Sequence, residues 1–432
     1  MGNAIEQFFG LKEQGTTVRR ELTAGATTFL AMAYITVVNP VILSDAGMDF
    51  GAVFVATCLA AALGTGVMGL YANYPVAQAP GMGQNAFFTY GIVLGLGYTW
   101  QSALGAVFIS GLIFIALSVL PVREWLINAI PRSLKLGISA GIGFFLGIIA
   151  LSGSGVIVSN DATIVGLGDL TEAPAMFMLL GFVLIAALAV RKTTGAVMLG
   201  MLLVTALGWS TGVAEFQGVF SAPPSLSTLG QLDISAAFDL SMITVIITLL
   251  LVDVFDTAGT LVGVANRANM LDAQGRLPRL RKALLSDSSA TAVGAVLGTS
   301  STTSFIESAA GVEAGGRTGL TALTTAGLFL LCLFFAPLAQ SIPAFATGAA
   351  LLFVATIMAR ALEDLSWGDV AESAPAVVTA IAIPLSYSIA DGIGLGFITY
   401  ALVKLISGEA RRCPLAVYVV AAIFVLKFGF LS

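Results

Sequence analysis

Residues 73–92 read NYPVAQAPGMGQNAFFTYGI, and residues 298–316 read GTSSTTSFIESAAGVEAGG. Neither stretch makes a good continuous helix. Each opens with residues suited to extended backbone, PVAQAP or TSSTTSF, and turns at small residues into a short helical piece. Both lie among segments apolar enough for the hydrocarbon core of a bilayer, where an unpaired peptide group costs several kcal/mol. Non-helical backbone at that depth survives only when buried in protein or lining a cavity. The two stretches are therefore expected to meet inside the protein, each as a short β-strand plus a half-helix. With half-helices beginning near Gln84 and Ile306, their N-terminal dipoles converge near the midplane and favour negative charge or hydrogen-bond acceptors there.

The rest of the chain supports a membrane setting. Of 432 residues, 57% are hydrophobic and 10% charged, and the mean hydropathy is +0.97. A water-soluble fold of this composition has too few charges to cover its surface. Apolar segments fall at about 24–43, 50–72, 76–97, 101–121, 133–152, 173–191 and 194–212, each near the length of a span. After a polar stretch a second set follows at about 238–264, 286–300, 302–315, 318–339, 346–362, 372–388 and 391–407, with one more apolar run at 413–431. The residues before the first span, Met1 to Glu21, carry charges of both signs and lack the apolar core of a cleavable signal, so that span is expected to stay attached.

Cationic loops test the topology, because short loops rich in Lys and Arg stay cytoplasmic. Arg19 and Arg20, then Arg123, Arg132 and Lys135, then Arg191 and Lys192 all fall on one side by span counting. So do Arg267, Arg276, Arg279, Arg281 and Lys282, and Arg411 with Arg412. The N-terminus is thus expected in the cytoplasm of a multi-pass protein of the inner (plasma) membrane. Seven spans in the first set make the second set enter in the opposite sense. The expected fold is all-α and polytopic, with about 14 transmembrane segments in a 7+7 inverted repeat and broken third and tenth segments, an architecture recurrent among secondary transporters.

Acids stand where the half-helices point. The eighth segment is apolar until Asp253 and Asp256, which share a helix face, and Glu307 stands at the proposed start of the second half-helix. A carboxylate at membrane depth faces a cavity or is neutralised, and its default reading is functional. The alternative for Asp253 and Asp256 is structural bonding to nearby hydroxyls. Asn85 can cap the half-helix or offer both donor and acceptor to a ligand, and Phe87, Phe88, Phe255 and Phe305 flank these positions and can stack on a flat one. Glu313 is expected to pair with Arg317, and Lys427 to reach an interface without a functional role. Histidine is absent and the three cysteines, Cys58, Cys332 and Cys413, are scattered, so no metal site, cofactor or His-based nucleophile pair is expected.

At these residues the chain resembles the nucleobase-cation symporter family two, in particular its AzgA-like branch of purine permeases. The matching stretches are TTFLAMAYITVVNP from Thr27, APGMGQNAFF from Ala79, VDVFDTAGTLVGV from Val252 and GTSSTTSFIESAAGVEAGGRTGL from Gly298. The resemblance implies a core domain, here residues 1–121 and 236–340, moving against a gate domain, residues 122–235 and 341–432. It implies substrate binding by Asn85, Asp253 and Glu307, beside which the flanking Phe87 and Phe305 are the expected ring contacts, with proton coupling through Asp253, Glu307 or Asp256. The implied activity is proton symport of purine nucleobases, driven by the proton gradient without a cofactor. Asp253, where adenine-preferring members tend to carry Asn, favours guanine and hypoxanthine. Expected partners are the nucleobase, protons and the lipid bilayer, with a second copy of the chain as a candidate and no nucleic acid. The competing readings are an adenine or broader nucleobase permease, an anion carrier of the related sulfate-transporter fold, and a membrane-embedded enzyme.

Overall fold

The computed structural model describes residues 2–119, 130–268, 270 and 277–430. The N-terminal α1 (Gly2–Phe9) precedes α2 (Val18–Met32) and α3 (Ile35–Asp45), which form one membrane-length run broken at Ala33 and Tyr34. Next come α4 (Phe50–Val67), continued by a π-helical turn at Met68–Ala72, then β1 (Gln78–Pro80), α5 (Met82–Ala86) widening into a π-helix at Phe87–Gly95, and α6 (Trp100–Val119). Three helices complete the first half: α7 (Arg132–Gly153), α8 (Ala173–Val190) after the hairpin of β2 (Ile157–Asn160) and β3 (Ile164–Leu167), and α9 (Ala196–Ser210).

The same order then recurs. It runs through α10 (Leu240–Arg267), α11 (Leu280–Leu297), β4 (Thr302–Ser304) with α12 (Ser308–Glu313), and α13 (Gly319–Cys332) prolonged by α14 (Ala336–Gln340). The last three members are α15 (Ala344–Ala359), α16 (Val370–Ser386) and α17 (Ile389–Ile406), and α18 (Leu415–Phe430) lies outside the repeat. Among the described residues nine helical runs are long and apolar enough to cross a membrane, and α9, α16 and α18 are shorter apolar helices. Arg123 and Arg276 of the cationic loops lie outside the described residues.

The strands of the two halves pair with each other. β1 and β4 are antiparallel, with Gln78 opposite Ser304, Ala79 opposite Thr303 and Pro80 opposite Thr302. Backbone bonds from Gly81 N to Ser301 O (3.0 Å) and from Phe305 N to Ala77 O (2.9 Å) extend the ladder at both ends. Strands this short leave outer edges that water cannot reach, and threonines from the preceding helices fill them. Thr65 of α4 accepts from Gln78 N at 2.8 Å and lies 3.0 Å from Gln78 O, and Thr291 of α11 lies 3.0 Å from Thr302 O. The half-helices start at Met82 and Ser308, two residues from the expected points in each case. Gly81 takes the cap position, Asn85 N bonding Gly81 O at 2.9 Å, while Ile306 and Glu307 form a turn that receives Ala309 N and Ala310 N.

Around these strands the helices pack as two groups. α2, α4, α6, α11 and α13 hold one another and the strand pair, and α10 packs on α6 and on β4 with α12. α7 packs on α15 and α16, α8 on α9 and α15, and α17 on α16 and α18. Glycine permits the closest approach in the first group: a Cβ on Gly319 would come 1.9 Å from the Gly69 carbonyl oxygen, so α13 and the end of α4 touch backbone to backbone.

Two charged pairs differ from expectation. Glu313 pairs with Arg267 at 2.9 Å, because positive-φ Gly315 turns the chain and Arg317 folds back to donate to Val312 O and Gly316 O. Lys427 is held by Asp391 at 2.6 Å, fastening the end of α18 to the first turn of α17. Glu21, fully buried, accepts from the Arg317, Thr318 and Thr321 backbone N–H groups and from both Thr hydroxyls, capping α13 with a carboxylate. The three cysteines are free.

A Gly319→Ala substitution should destabilise the purified protein by about 1–3 kcal/mol through overpacking. Gly327→Ala, on the same helix with nothing near its Cβ direction, should be neutral or slightly stabilising. Apparent melting temperatures in one detergent check both.

Candidate functional site

The two groups of helices face each other across a cavity of about 570 Å³. One wall is α7 and α15, with Lys135, Ile138, Ile142, Ile357 and Met358. The other is Gly83 and Gln84 of α5, Phe255, Asp256 and Thr260 of α10, and Ile306. A smaller recess of about 90 Å³ adjoins it and shares Gly83, Asp256, Thr260, Ile306, Ile357 and Met358 with it. Gly81, Met82, Thr303, Ser304, Phe305, Glu307 and Val354 complete the recess, so the starts of both half-helices and the β4 strand border one small space. The cavity reaches the molecular surface at Arg132, which is 74% exposed and pairs with Asp364 at 3.0 Å.

Four carboxyls lie at or behind this space, Asp253 and Asp287 fully buried, Glu307 half-buried and Asp256 open to the cavity, and their partners differ. Asp287, on α11, is fully buried and accepts from Gln78 Nε2 (3.0 Å), Ser304 Oγ (2.7 Å) and Thr257 Oγ1 (2.6 Å). It therefore ties β1, β4 and α10 together with three donors. Asp253, also fully buried, has Thr291 Oγ1 at 2.9 Å from Oδ2, while Gln84 bridges the Asp253 backbone N–H and the Ser301 carbonyl, each at 3.2 Å. Glu307 receives the Tyr34 hydroxyl on Oε1 at 2.6 Å, and the break between α2 and α3 places that phenol. Asp256 lines both the cavity and the recess.

Of the residues expected from sequence, Asp256, Glu307 and Phe305 come together at the recess, and Phe255 joins them at the cavity wall beneath Lys135, whose Nζ stands 5.1 Å from the ring centroid. Asp253 sits behind this wall, and neither cavity has it in its lining. Asn85 is buried beneath the half-helix, where its Oδ1 accepts from Ser300 Oγ and its Nδ2 has no partner among the described residues. Phe87 is buried in the π-helix and packs toward Gly91, away from both cavities.

Sequence reading missed Asp287, Gln84, Thr303, Gln78 and Tyr34. Asp287 carried a signal: α11 begins at Leu280, six residues before the apolar segment drawn at 286, so this acid lies two turns inside a helix instead of at its edge. The hydroxyl run TSSTTS pointed to polar pairing but not to which hydroxyl faces the cavity. Tyr34 carried no such signal, since an apolar span readily holds a tyrosine.

A family profile described as Permease family (Xan_ur_permease) matches residues 19–395. Among similar proteins, the permease MJ0326 of Methanocaldococcus jannaschii is 48% identical over 430 residues, covering 99% of both chains. The adenine permease AdeP of Escherichia coli is 46% identical over 429 residues, covering 99% of this chain and 96% of that one. The guanine/hypoxanthine permease PbuG of Bacillus subtilis is 44% identical over 441 residues, covering 99% of this chain and 100% of that one. Among solved structures, the transmembrane domain of the cyanobacterial bicarbonate transporter BicA matches with TM-score 0.66 at 16% identity, over 86% of this chain and 96% of that one. Murine Solute Carrier 26 family member A9 matches with TM-score 0.65 at 13% identity, over 90% of this chain and 68% of that one. At such identities the likeness shows the fold alone, the 7+7 inverted repeat.

Removing the Asp287 carboxyl should be felt as lost stability. Asp287→Ala leaves three buried donors without an acceptor and should cost at least about 3 kcal/mol. Glu313→Ala breaks an exposed pair and should cost under about 1 kcal/mol. Detergent melting curves of the two variants, expected to differ widely, check the assignment.

Proposed function

The chain belongs to the Permease family of nucleobase-cation symporters and is a multi-pass membrane transporter; from that premise we propose that it imports purine nucleobases, guanine and hypoxanthine above all, in symport with protons. The observation that carries this reading is the pair Asp256 and Glu307, two carboxyls in one recess between the half-helix starts and the opposing helices α7 and α15. Carboxyls in that place accept the N–H groups of a flat heterocycle, and Phe305 and Phe255 offer ring faces for it. A purine fits the dimensions of such a recess opening into a larger cavity.

Asp253, one turn from Asp256 and behind the recess, is the candidate coupling acid. A proton shared between it and the Thr291 hydroxyl bears directly on the β4 backbone, since Thr291 also meets Thr302 O. Protonation and substrate binding then favour movement of the core group of helices against the gate group, exposing the recess to one side at a time. By the positive-inside rule the face carrying Arg132 is cytoplasmic, so the cavity opens inward and the N-terminus lies in the cytoplasm of the plasma membrane.

A second reading, adenine transport, draws on the 46% identity to AdeP, which is close to the 44% identity to PbuG. An anion carrier is disfavoured, because two carboxyls at the recess repel that cargo. Uptake of radiolabelled hypoxanthine, guanine, adenine and uracil into cells lacking their own permeases separates these readings. Hypoxanthine and guanine are expected to accumulate and a protonophore to abolish the accumulation. Glu307→Gln should raise KM at least about tenfold, the loss of about one charge-assisted hydrogen bond. Asp253→Asn should allow equilibration without concentration. Asp253→Asn that still concentrates substrate in a pH-dependent way removes Asp253 from the coupling role.

A further inference from the structure

The recess sets a threonine hydroxyl beside one of the two acids. Thr303, the middle residue of β4 opposite Ala79, is fully buried, lines the recess, and has no hydrogen-bond partner for its hydroxyl among the described residues. Its hydroxyl faces the Asp256 carboxyl closely enough to interact with it, and a ligand entering the recess can take up that hydroxyl in place of the carboxylate. The space in front of it exists because residue 81 is glycine: a Cβ there would come 3.1 Å from Thr303 Oγ1 and 3.0 Å from the Gln84 amide. Of its strand neighbours, Ser304 donates to Asp287, and the Thr302 hydroxyl, itself without a partner among the described residues, is turned away from the recess toward Gly294 of α11. Native interiors seldom leave a buried hydroxyl unpaired, since it forfeits the bonds it makes in water, and one that lines a cavity is paired by what enters.

We propose that Thr303 is a specificity-determining residue whose hydroxyl donates to the carbonyl oxygen of a 6-oxopurine while Asp256 accepts the adjacent ring N–H. The assignment rests on the nucleobase reading above and deepens it to a substrate class. An ionised carboxylate only accepts, and Glu307 already receives the Tyr34 hydroxyl, so an acceptor on the ligand needs a separate donor in the recess. The N1–H and C6=O groups of hypoxanthine and guanine lie side by side in the ring plane and match an acceptor and a donor set side by side. Adenine offers the reverse, an acceptor nitrogen beside an amino group, and sets its N1 lone pair against the carboxylate. A site built around a hydrogen bond rejects a ligand that leaves its group unpaired far more strongly than a purely apolar pocket does.

The test uses purified full-length protein and competition against tritiated hypoxanthine, with adenine and unsubstituted purine, which lacks the 6-oxo group, as competitors. Thr303→Val should weaken hypoxanthine at least about tenfold and adenine less than about twofold, the loss of one buried hydrogen bond, while Thr303→Ser stays within about threefold of wild type. Wild type should bind purine, which lacks both the 6-oxo group and the N1–H, at least about tenfold more weakly than hypoxanthine, and Thr303→Val should narrow that gap. Equal losses for hypoxanthine and adenine, or a wild type that binds purine or adenine as tightly as hypoxanthine, overturn the inference. The ligand comparison on wild type needs no variant, so it decides even if Thr303→Val fails to fold. A wild type that binds no nucleobase overturns the proposed function itself, whereas nucleobase binding indifferent to the hydroxyl overturns only the role of Thr303.

Discussion

Pairing of β1 with β4 is the constraint on which this protein depends. Six residues of extended backbone lie among membrane-spanning helices, where no water satisfies their peptide groups, and each strand finds its partner in the other half of the chain. Neither half can bury its broken segment alone. The threonine hydroxyls on the outer edges, Thr65 and Thr291, come from equivalent helices of the two repeats, so the crossing is closed on all sides by groups the repeat itself provides. Because the strands are short, the half-helices that follow them start beside one another, and the recess is a consequence of that geometry.

The buried acids divide the labour around this crossing. Asp287 is saturated by three donors from three different elements and behaves as a structural anion that welds strands to helix. Asp253 shares a single threonine hydroxyl with a strand carbonyl, an arrangement that feels a change in protonation. Asp256 and Glu307 face the recess, with one hydroxyl each beside them, Thr303 and Tyr34. A carboxyl in a membrane protein is costly in proportion to what it is denied, and the donors around Asp287 mark it as structural.

The recess also lies at the seam between two groups of helices, and small residues keep that seam close. A Cβ on Gly83 would come 2.5 Å from Ile142 Cγ2, so the start of α5 rests directly against α7. Such contacts are made of side chains against bare backbone and contain few hydrogen bonds. The charged network of α16 and α17, with Lys404 between Glu372 and Glu409 at 3.0 and 2.8 Å, is confined to the second group and holds it together internally.

Much of this was legible in the amino-acid order. Length and spacing of apolar runs, together with the loops bearing Lys and Arg, determined the polytopic fold and its repeat, because the bilayer imposes one thickness on every span. The broken third and tenth segments were legible because proline, glycine and hydroxyl residues cannot propagate a helix there, and Asp256, Glu307 and Phe305 followed from their place beside those breaks. Tertiary structure alone decided which polar groups share a space. Asp253 and Asp256 sit on one helix face in sequence terms, yet one turns behind the wall and the other into the cavity. Tyr34 reaches Glu307 across 273 positions, and of the hydroxyls in the TSSTTS run Thr303 and Ser304 line the recess. Periodicity along a single element specifies a face, while the depth and partners on that face depend on how elements from opposite halves of the chain come to rest against each other.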